Sequence, residues 1–329
     1  MDRMLVLGSN SFGASRLIDD LLSKEFRVMG VSRSKLPNFA FAPYRNSPNI
    51  EKFRFFQLDI NNDFETFIST IRNFEPNVIV DFAGQGMVAE SWLDPVTWYQ
   101  TNVVSKVAMY KELTSLKSLE KYIRISTPEV YGSSDTPISN HSALNPSTPY
   151  ALSHATIDQH LMLIQSQFDF PVVIGRFANF YGAGQQLFRI IPKTFIKFMC
   201  KNKIELHGGG LSKRSFIHAA DVSNGIQAII ERGNIGDVYH FSSPQIFSIK
   251  EVVQKIAEIS EIPFEDYVIN VKDRPGKDYK YQMDTSSSRS SLGWEPLIDF
   301  NQGLREVQQW IAANKDDFAK AALEYIYVK

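Results

Sequence analysis

At 329 residues the chain is long for a single hydrophobic core, which predicts one large α/β unit with a smaller lobe attached. Its 43% hydrophobic content is that of a globular protein, and its formal net charge of −1 excludes a nucleic-acid coat or a polybasic membrane anchor. The lone cysteine, Cys200, excludes an intramolecular disulfide and a cysteine-based metal site, and it is expected to fill a buried helix. The chain enters a strand at Met4 with neither a charged leader nor a long apolar run. No signal peptide or membrane span is therefore expected, and the cytoplasm is the expected location.

In chain order, Met4–Leu7 reads as a short buried strand. Ser15–Lys24 has helical spacing, with Leu17, Ile18, Leu21 and Leu22 on one face. Strands follow at Phe26–Val31 and Phe53–Leu58, a helix at Phe64–Phe74 and a fourth strand at Val78–Phe82. A long helix is predicted over Pro95–Leu116, a strand over Tyr122–Ser126, a helix over Pro149–Phe168 and a strand over Val172–Arg176. Repeated β-α units with apolar strands point to a Rossmann-type doubly wound parallel sheet with helices on both faces. Beyond Asn179 the rhythm breaks, with helices expected at Ile191–Asn202, Ala220–Glu231, Ile249–Ile259 and Phe300–Asn314. The Ser-rich run Thr285–Ser291 reads as a loop and helix start. Residues 1–178 are thus assigned to a dinucleotide-binding domain. Residues 179–329 are assigned mainly to a substrate-binding lobe, with some segments returning to the first domain.

The turn after the first strand reads Gly8-Ser-Asn-Ser11-Phe12-Gly-Ala14. A small-residue turn of this kind lets the backbone approach a pyrophosphate lying on the next helix N-terminus. Asp59 and Ile60, after the third strand, are placed at the adenine, with a helix N-cap as the other role open to Asp59. The second strand runs into Ser32-Arg33-Ser34 with no acid to hold a ribose 2′-hydroxyl. A guanidinium among hydroxyls suits a 2′-phosphate, so NADP is expected ahead of NAD.

The segment Ile123–Gly132, IRISTPEVYG, places Thr127 and Glu129 at the end of an apolar strand, and Tyr150 opens the next helix. Hydroxyl, carboxylate and phenol converging at a strand's C-terminal end suit oxidation of a carbinol coupled to abstraction of a neighbouring C–H.

Taken together, these segments resemble the extended short-chain dehydrogenases/reductases that act on nucleotide sugars. VDFAGQGMV (residues 80–88) resembles that family's loop under the nicotinamide, which places Ala83 and Gly84 on the cofactor and Gln85 on the substrate. Asn102 falls at a structural asparagine. Arg176–Gly182 resembles RxxNxYG, the stretch from Leu206 to Val222 resembles GxGxxxRDFIHVxDV, and Arg274–Asp278 with Leu292–Pro296 resembles the substrate-lobe signature. Thr-x-Glu before Val-Tyr-Gly resembles the 4,6-dehydratases and the related decarboxylases. The resemblance implies that Tyr150 takes the C4 hydroxyl proton while hydride leaves C4, and that Thr127 holds the C4 oxygen. Glu129 would remove the C5 proton, water would leave from C6, and hydride would return there. It further implies a nucleoside-diphosphate sugar bound through Asn179, Arg214 and Arg274, and a homodimer formed through the helices carrying Val103, Val104, Val107 and Leu161–Ile164.

Three positions depart from the family. His154 stands where a lysine normally follows the tyrosine by four residues, sharing its helix face. A histidine half-charged near pH 6.5 would activate Tyr150 weakly and in a pH-dependent way, and would still reach the cofactor ribose. His154→Lys is therefore expected to speed oxidation. Pro128 replaces an acid that would protonate the leaving hydroxyl, and Met87 a loop histidine. A C4-epimerase or decarboxylase of the same family, and a non-catalytic sensor of a nucleotide sugar or NADP, are the other readings.

Overall fold

The computed structural model describes residues 2–272 and 281–325. Its first half is built from β1 (Arg3–Leu7), α1 (Phe12–Ser23), β2 (Arg27–Ser32), β3 (Phe53–Gln57), α2 (Phe64–Phe74) and β4 (Val78–Asp81). It continues through α3 (Pro95–Tyr99), α4 (Ser105–Leu113), β5 (Lys121–Ser126), α5 (Pro149–Phe168) and β6 (Val172–Phe177). These strands pair in parallel, and β10 (Val238–Phe241) joins them beside β6 after β7 (Asn179–Tyr181), α6 (Ile190–Met199), β8 (Ile204–His207), β9 (Lys213–His218) and α7 (Ala219–Arg232). The order across this seven-stranded sheet is β10-β6-β5-β4-β1-β2-β3, the doubly wound arrangement expected.

Alternation along the strands makes two cores. Met4 and Val6 of β1 face α1 and α7, whereas Leu5 and Leu7 face α2, α4 and α5. Every residue of β1 from Met4 to Leu7 is buried, because helices cover both faces. The remaining elements are β11 (Ile246–Ser248), α8 (Ile249–Ile259), β12 (Val268–Val271), α9 (Ser286–Leu292), α10 (Phe300–Ala313) and α11 (Lys315–Phe318). All but α9, whose Leu292 packs in the core of Met4 and Val6, join α6 in a third core around Phe195, Val252, Ile256 and Leu304, beside the small β11-β9-β7 and β12-β8 sheets.

Three features differ from expectation. The long helix expected over residues 95–116 is interrupted by a π-helical segment, Gln100–Val104, between α3 and α4. The widened turn points Asn102 inward, where its Oδ1 accepts from Gln85 N at 2.7 Å and its Nδ2 donates to Gln85 O at 3.1 Å. The sheet also has a strand beyond the six predicted, β10, whose Tyr239-His240 interior broke the apolar signal. Cys200 lies half-buried at the C-terminal cap of α6 rather than within a buried helix. Among the described residues no helix is long and apolar enough to cross a membrane.

Candidate active site

A cleft of roughly 800 Å³ opens at the C-terminal ends of β1, β4, β5 and β6, between the sheet and the second lobe. Ser11 and Phe12 of the first turn line it with Ala83, Gly84 and Gln85 of the β4 loop, as do Thr127, Glu129, Tyr150 and His154. Asn179 and Arg214 line the lobe side. Gly8, Ala14, Ser32, Arg33, Asp59 and Ile60 lie outside this lining. Arg274 falls outside the described residues.

The first turn is shaped for close backbone approach. Gly8 has φ +70°, and a Cβ there would sit 2.7 Å from Ala83 N. Ser11 precedes α1 without capping it. Ser9 Oγ, Ser11 Oγ and Gln85 Nε2 are buried without a hydrogen-bond partner. Three unpaired buried polar groups and an uncapped helix start fit a dinucleotide whose pyrophosphate would accept from them.

One expectation at the adenosine end needs correction. Asp59 does not cap α2: its carboxylate accepts from Asn61 N at 2.8 Å, whereas Asp63 occupies the cap position. Ser32 Oγ accepts from Asn10 N at 3.0 Å, tying the first turn to the end of β2, and Arg33 is exposed beside it.

At the centre, β5 ends at Ser126, and Thr127 caps a short turn, Pro128–Tyr131. Pro128 suits the first position of that turn, where its fixed φ fits and no amide is needed. Thr148 caps α5, accepting from Ala151 N at 3.1 Å, with Pro149 next, so Tyr150 is held in the first turn. Thr127 and Tyr150 share a hydrogen bond. Burial and the Glu129 carboxylate push the Tyr150 phenol above its usual range, against the Thr127 bond and the guanidinium groups of Arg189 and Arg124. Asn179 Oδ1 accepts from Tyr281 Oη at 3.3 Å, and Arg214 lies over the Tyr281 ring at 4.9 Å.

His154 does share a helix face with Tyr150, their ring centroids 4.5 Å apart. It is not half-charged near neutrality. Burial, then the charges of Arg124 and Lys106, hold its pKa well below the usual value.

Sequence reasoning missed the groups behind this wall. Arg124 Nη2 lies 3.0 Å from His154 Nδ1. Asp81 receives both Lys106 Nζ and the Tyr122 hydroxyl, at 2.5 and 2.6 Å. Asp158 receives Ser126 Oγ at 2.7 Å and Arg176 Nη2 at 3.0 Å. Arg189, at the start of α6, also lines the cleft and faces Tyr150 and Glu129. The available signal was a charged residue inside otherwise apolar segments, at Arg124 and Lys106.

Buried histidines make stability fall in acid. Burial and the charge of Arg176 lower the pKa of His240, on β10, to about 4. The unfolded chain takes up a proton near pH 6.5 that this folded side chain refuses until about pH 4. Stability is therefore fully present above pH 6.5 and is lost as pH falls through that window, by about 3 kcal/mol from His240 alone. Urea unfolding at pH 7.5 and pH 4.5 checks this; equal midpoints would contradict it.

The chain matches the GDP-mannose 4,6-dehydratase family over residues 5–307. It is 31% identical to the dTDP-D-glucose 4,6-dehydratase of Mus musculus over 335 residues, covering 98% of this chain and 92% of the relative. A dTDP-glucose 4,6-dehydratase from Streptomyces venezuelae, solved with NAD bound, superposes with a TM-score of 0.87 at 26% identity, covering 95% of this chain and 98% of that one. A UDP-glucuronic acid 4-epimerase from Bacillus cereus, solved with its substrate and NAD, shares the fold, with a TM-score of 0.84 at 22% identity over 95% and 99% of the two chains.

Proposed function

The chain belongs to the GDP-mannose 4,6-dehydratase family, and on that premise we propose that it removes water from a nucleoside-diphosphate hexose by transient oxidation at C4. The observation that carries this reading is the convergence of Thr127, Glu129 and Tyr150 on one wall of the cleft. Arg189, Arg214, Lys193, Lys197 and Lys203 also line it, a cationic set suited to a diphosphate.

Gly8, Ser11, Phe12, Ala83, Gly84 and His154 would hold the nicotinamide cofactor, which when bound takes hydrogen from C4 and returns it at C6. The chain's own residues do the rest. Tyr150, once ionised, accepts the C4 hydroxyl proton, and Thr127 orients that oxygen. The resulting ketone acidifies C5–H, and Glu129 accepts that proton. With proline at 128, the same carboxyl group then delivers its proton to the departing 6-hydroxyl, which leaves as water; once C6 is reduced, C5 takes up a proton from solvent, and Tyr150 returns the proton it accepted to solvent.

We infer NAD rather than NADP. The relatives of similar fold hold NAD, Ser32 Oγ is already engaged by Asn10, and Arg33 is exposed. Calorimetric titration is expected to give NAD at least about tenfold tighter binding; tighter NADP would reverse the assignment. Residues 1–178, with α7 and β10, are assigned to the cofactor, and the rest of 179–329 to the sugar nucleotide. Exposed Val96, Val104, Leu152 and Leu163 on the α3–α5 flank support a homodimer. Sedimentation as a monomer at micromolar concentration would count against it.

Incubation with dTDP-glucose, UDP-glucose and GDP-mannose, read by product mass, tests the main proposal. Loss of one water from one donor is expected. Pro128 favours epimerisation as the second reading, and an isomer of unchanged mass would establish it. Tight binding without turnover would establish a sensor.

A further inference from the structure

The chemistry proposed above needs Tyr150 to ionise, yet its neighbour on α5 is a histidine that stays neutral. Arginine has no lone pair to offer, so at the 3.0 Å contact Arg124 Nη2 donates and His154 Nδ1 accepts. A neutral imidazole bonded in this way carries its proton on Nε2. His154 lines the cleft, and its Nε2 makes no hydrogen bond to another described residue.

The charge missing from His154 sits one layer back. Arg124 is 2% exposed and also lines the cleft. Its two acidic neighbours are shared with other donors. Asp81 accepts from Arg124 Nη1 at 3.5 Å and also from Lys106 and Tyr122. Asp158 lies 3.7 Å from Nε, too far for a hydrogen bond, and its closer partner is Arg176 at 3.0 Å. The cluster holds three cations, Lys106, Arg124 and Arg176, against two carboxylates, Asp81 and Asp158. One positive charge is left over, buried beside the Tyr150–His154 pair, as long as Lys106, whose pKa burial lowers to about 8, keeps its proton.

We propose that Arg124 is a positioning residue that, with His154, divides between two side chains what one ammonium group would do: Arg124 supplies the fixed positive charge that favours the Tyr150 phenolate, and His154, locked by Arg124 as the Nε2–H tautomer, supplies the donor to the cofactor ribose. This rests on the dehydratase reading for its consequence, though not for its geometry. Guanidinium does not titrate in the working range, so its charge persists where a histidine cation would fade, and the one cation of the cluster that titrates nearby is Lys106, whose pKa burial lowers to about 8. The charged groups acting on His154 are Arg124 from β5 and Lys106 from α4, with the Tyr150 ring against it; Asp81 from β4 and Asp158 from α5 face Arg124, and Tyr150 feels Glu129 and then Arg189 ahead of Arg124. A lysine at 154 would meet the guanidinium, so His154→Lys is expected to slow turnover, the reverse of the gain the family comparison suggests.

The test begins with the unaltered protein. Nitrogen-15 histidine NMR is expected to show His154 as the neutral Nε2–H tautomer from pH 5.5 to 8. A His154 that takes up a proton near pH 6.5, or carries its proton on Nδ1, overturns the proposal whether or not any sugar is turned over. Arg124→Lys and Arg124→Met then separate charge from packing. The lysine variant is expected to keep the pH profile of turnover, and the methionine variant to move its acid limb up by about one pH unit with at least a tenfold loss in kcat. Folded Arg124→Met with an unchanged limb also overturns it. If the methionine variant does not fold, the tautomer measurement still decides. A neutral, locked His154 in a protein that turns nothing over counts against the dehydratase reading alone.

Discussion

Tyr150→Phe is expected to lower turnover by about 100- to 10,000-fold while leaving the fold and nucleotide-sugar binding intact. Among the described residues, the phenol is the ionisable group in hydrogen-bond contact with Thr127, placed to accept the C4 hydroxyl proton. Phenylalanine keeps the ring against His154, at the 4.5 Å centroid separation, and removes only the oxygen. Steady-state rates, with binding measured by calorimetry, check this. Undiminished turnover would remove Tyr150 from the mechanism, and weaker binding with unchanged kcat would give it a binding role instead.

Glu129→Gln separates the two halves of the reaction. Water loss should fall by about 100- to 10,000-fold, because the amide can neither take the C5 proton nor deliver it to the leaving hydroxyl. Oxidation at C4 should persist and become visible as a single-turnover nicotinamide absorbance that no longer decays. The sign of its pH dependence follows from charge. The Glu129 carboxylate raises the Tyr150 pKa, so its removal should carry the acid limb of oxidation to lower pH. A limb that stays in place would mean that Glu129 and Tyr150 are not coupled. An unimpaired rate of water loss would mean that another group serves as the base.

The parts of this architecture that residues encode locally were legible in the sequence. The helix Pro149–Phe168 was read to the residue, because Thr148 supplies the cap, Pro149 the first position and a continuous apolar pattern the rest. The buried β1 and β4 strands were legible for the same local reason. What was missed depends on distant partners. The π segment at Gln100–Val104 exists because Asn102 reaches the β4 loop and, at 3.0 Å, Ser153 on α5. Asp81, Lys106 and Arg124 come from three separate elements, and none of them announces the others. His154 was correctly placed on the tyrosine's face, but its charge state depends on Arg124, thirty residues earlier. Arg33 drew the cofactor reading toward NADP because a guanidinium at that point in a sequence carries no sign of being exposed.

Dehydration at C4–C6 makes a claim about where one hydrogen goes. The most direct measurement is incubation with dTDP-glucose and UDP-glucose, each deuterated at C4, followed by mass and proton NMR analysis of the product. The account predicts a product lighter by one water with the deuterium at C6, because the hydrogen taken from C4 is returned there within one closed site. Deuterium still at C4 in an isomer of unchanged mass, or a dehydrated product with its label lost to solvent, would contradict it.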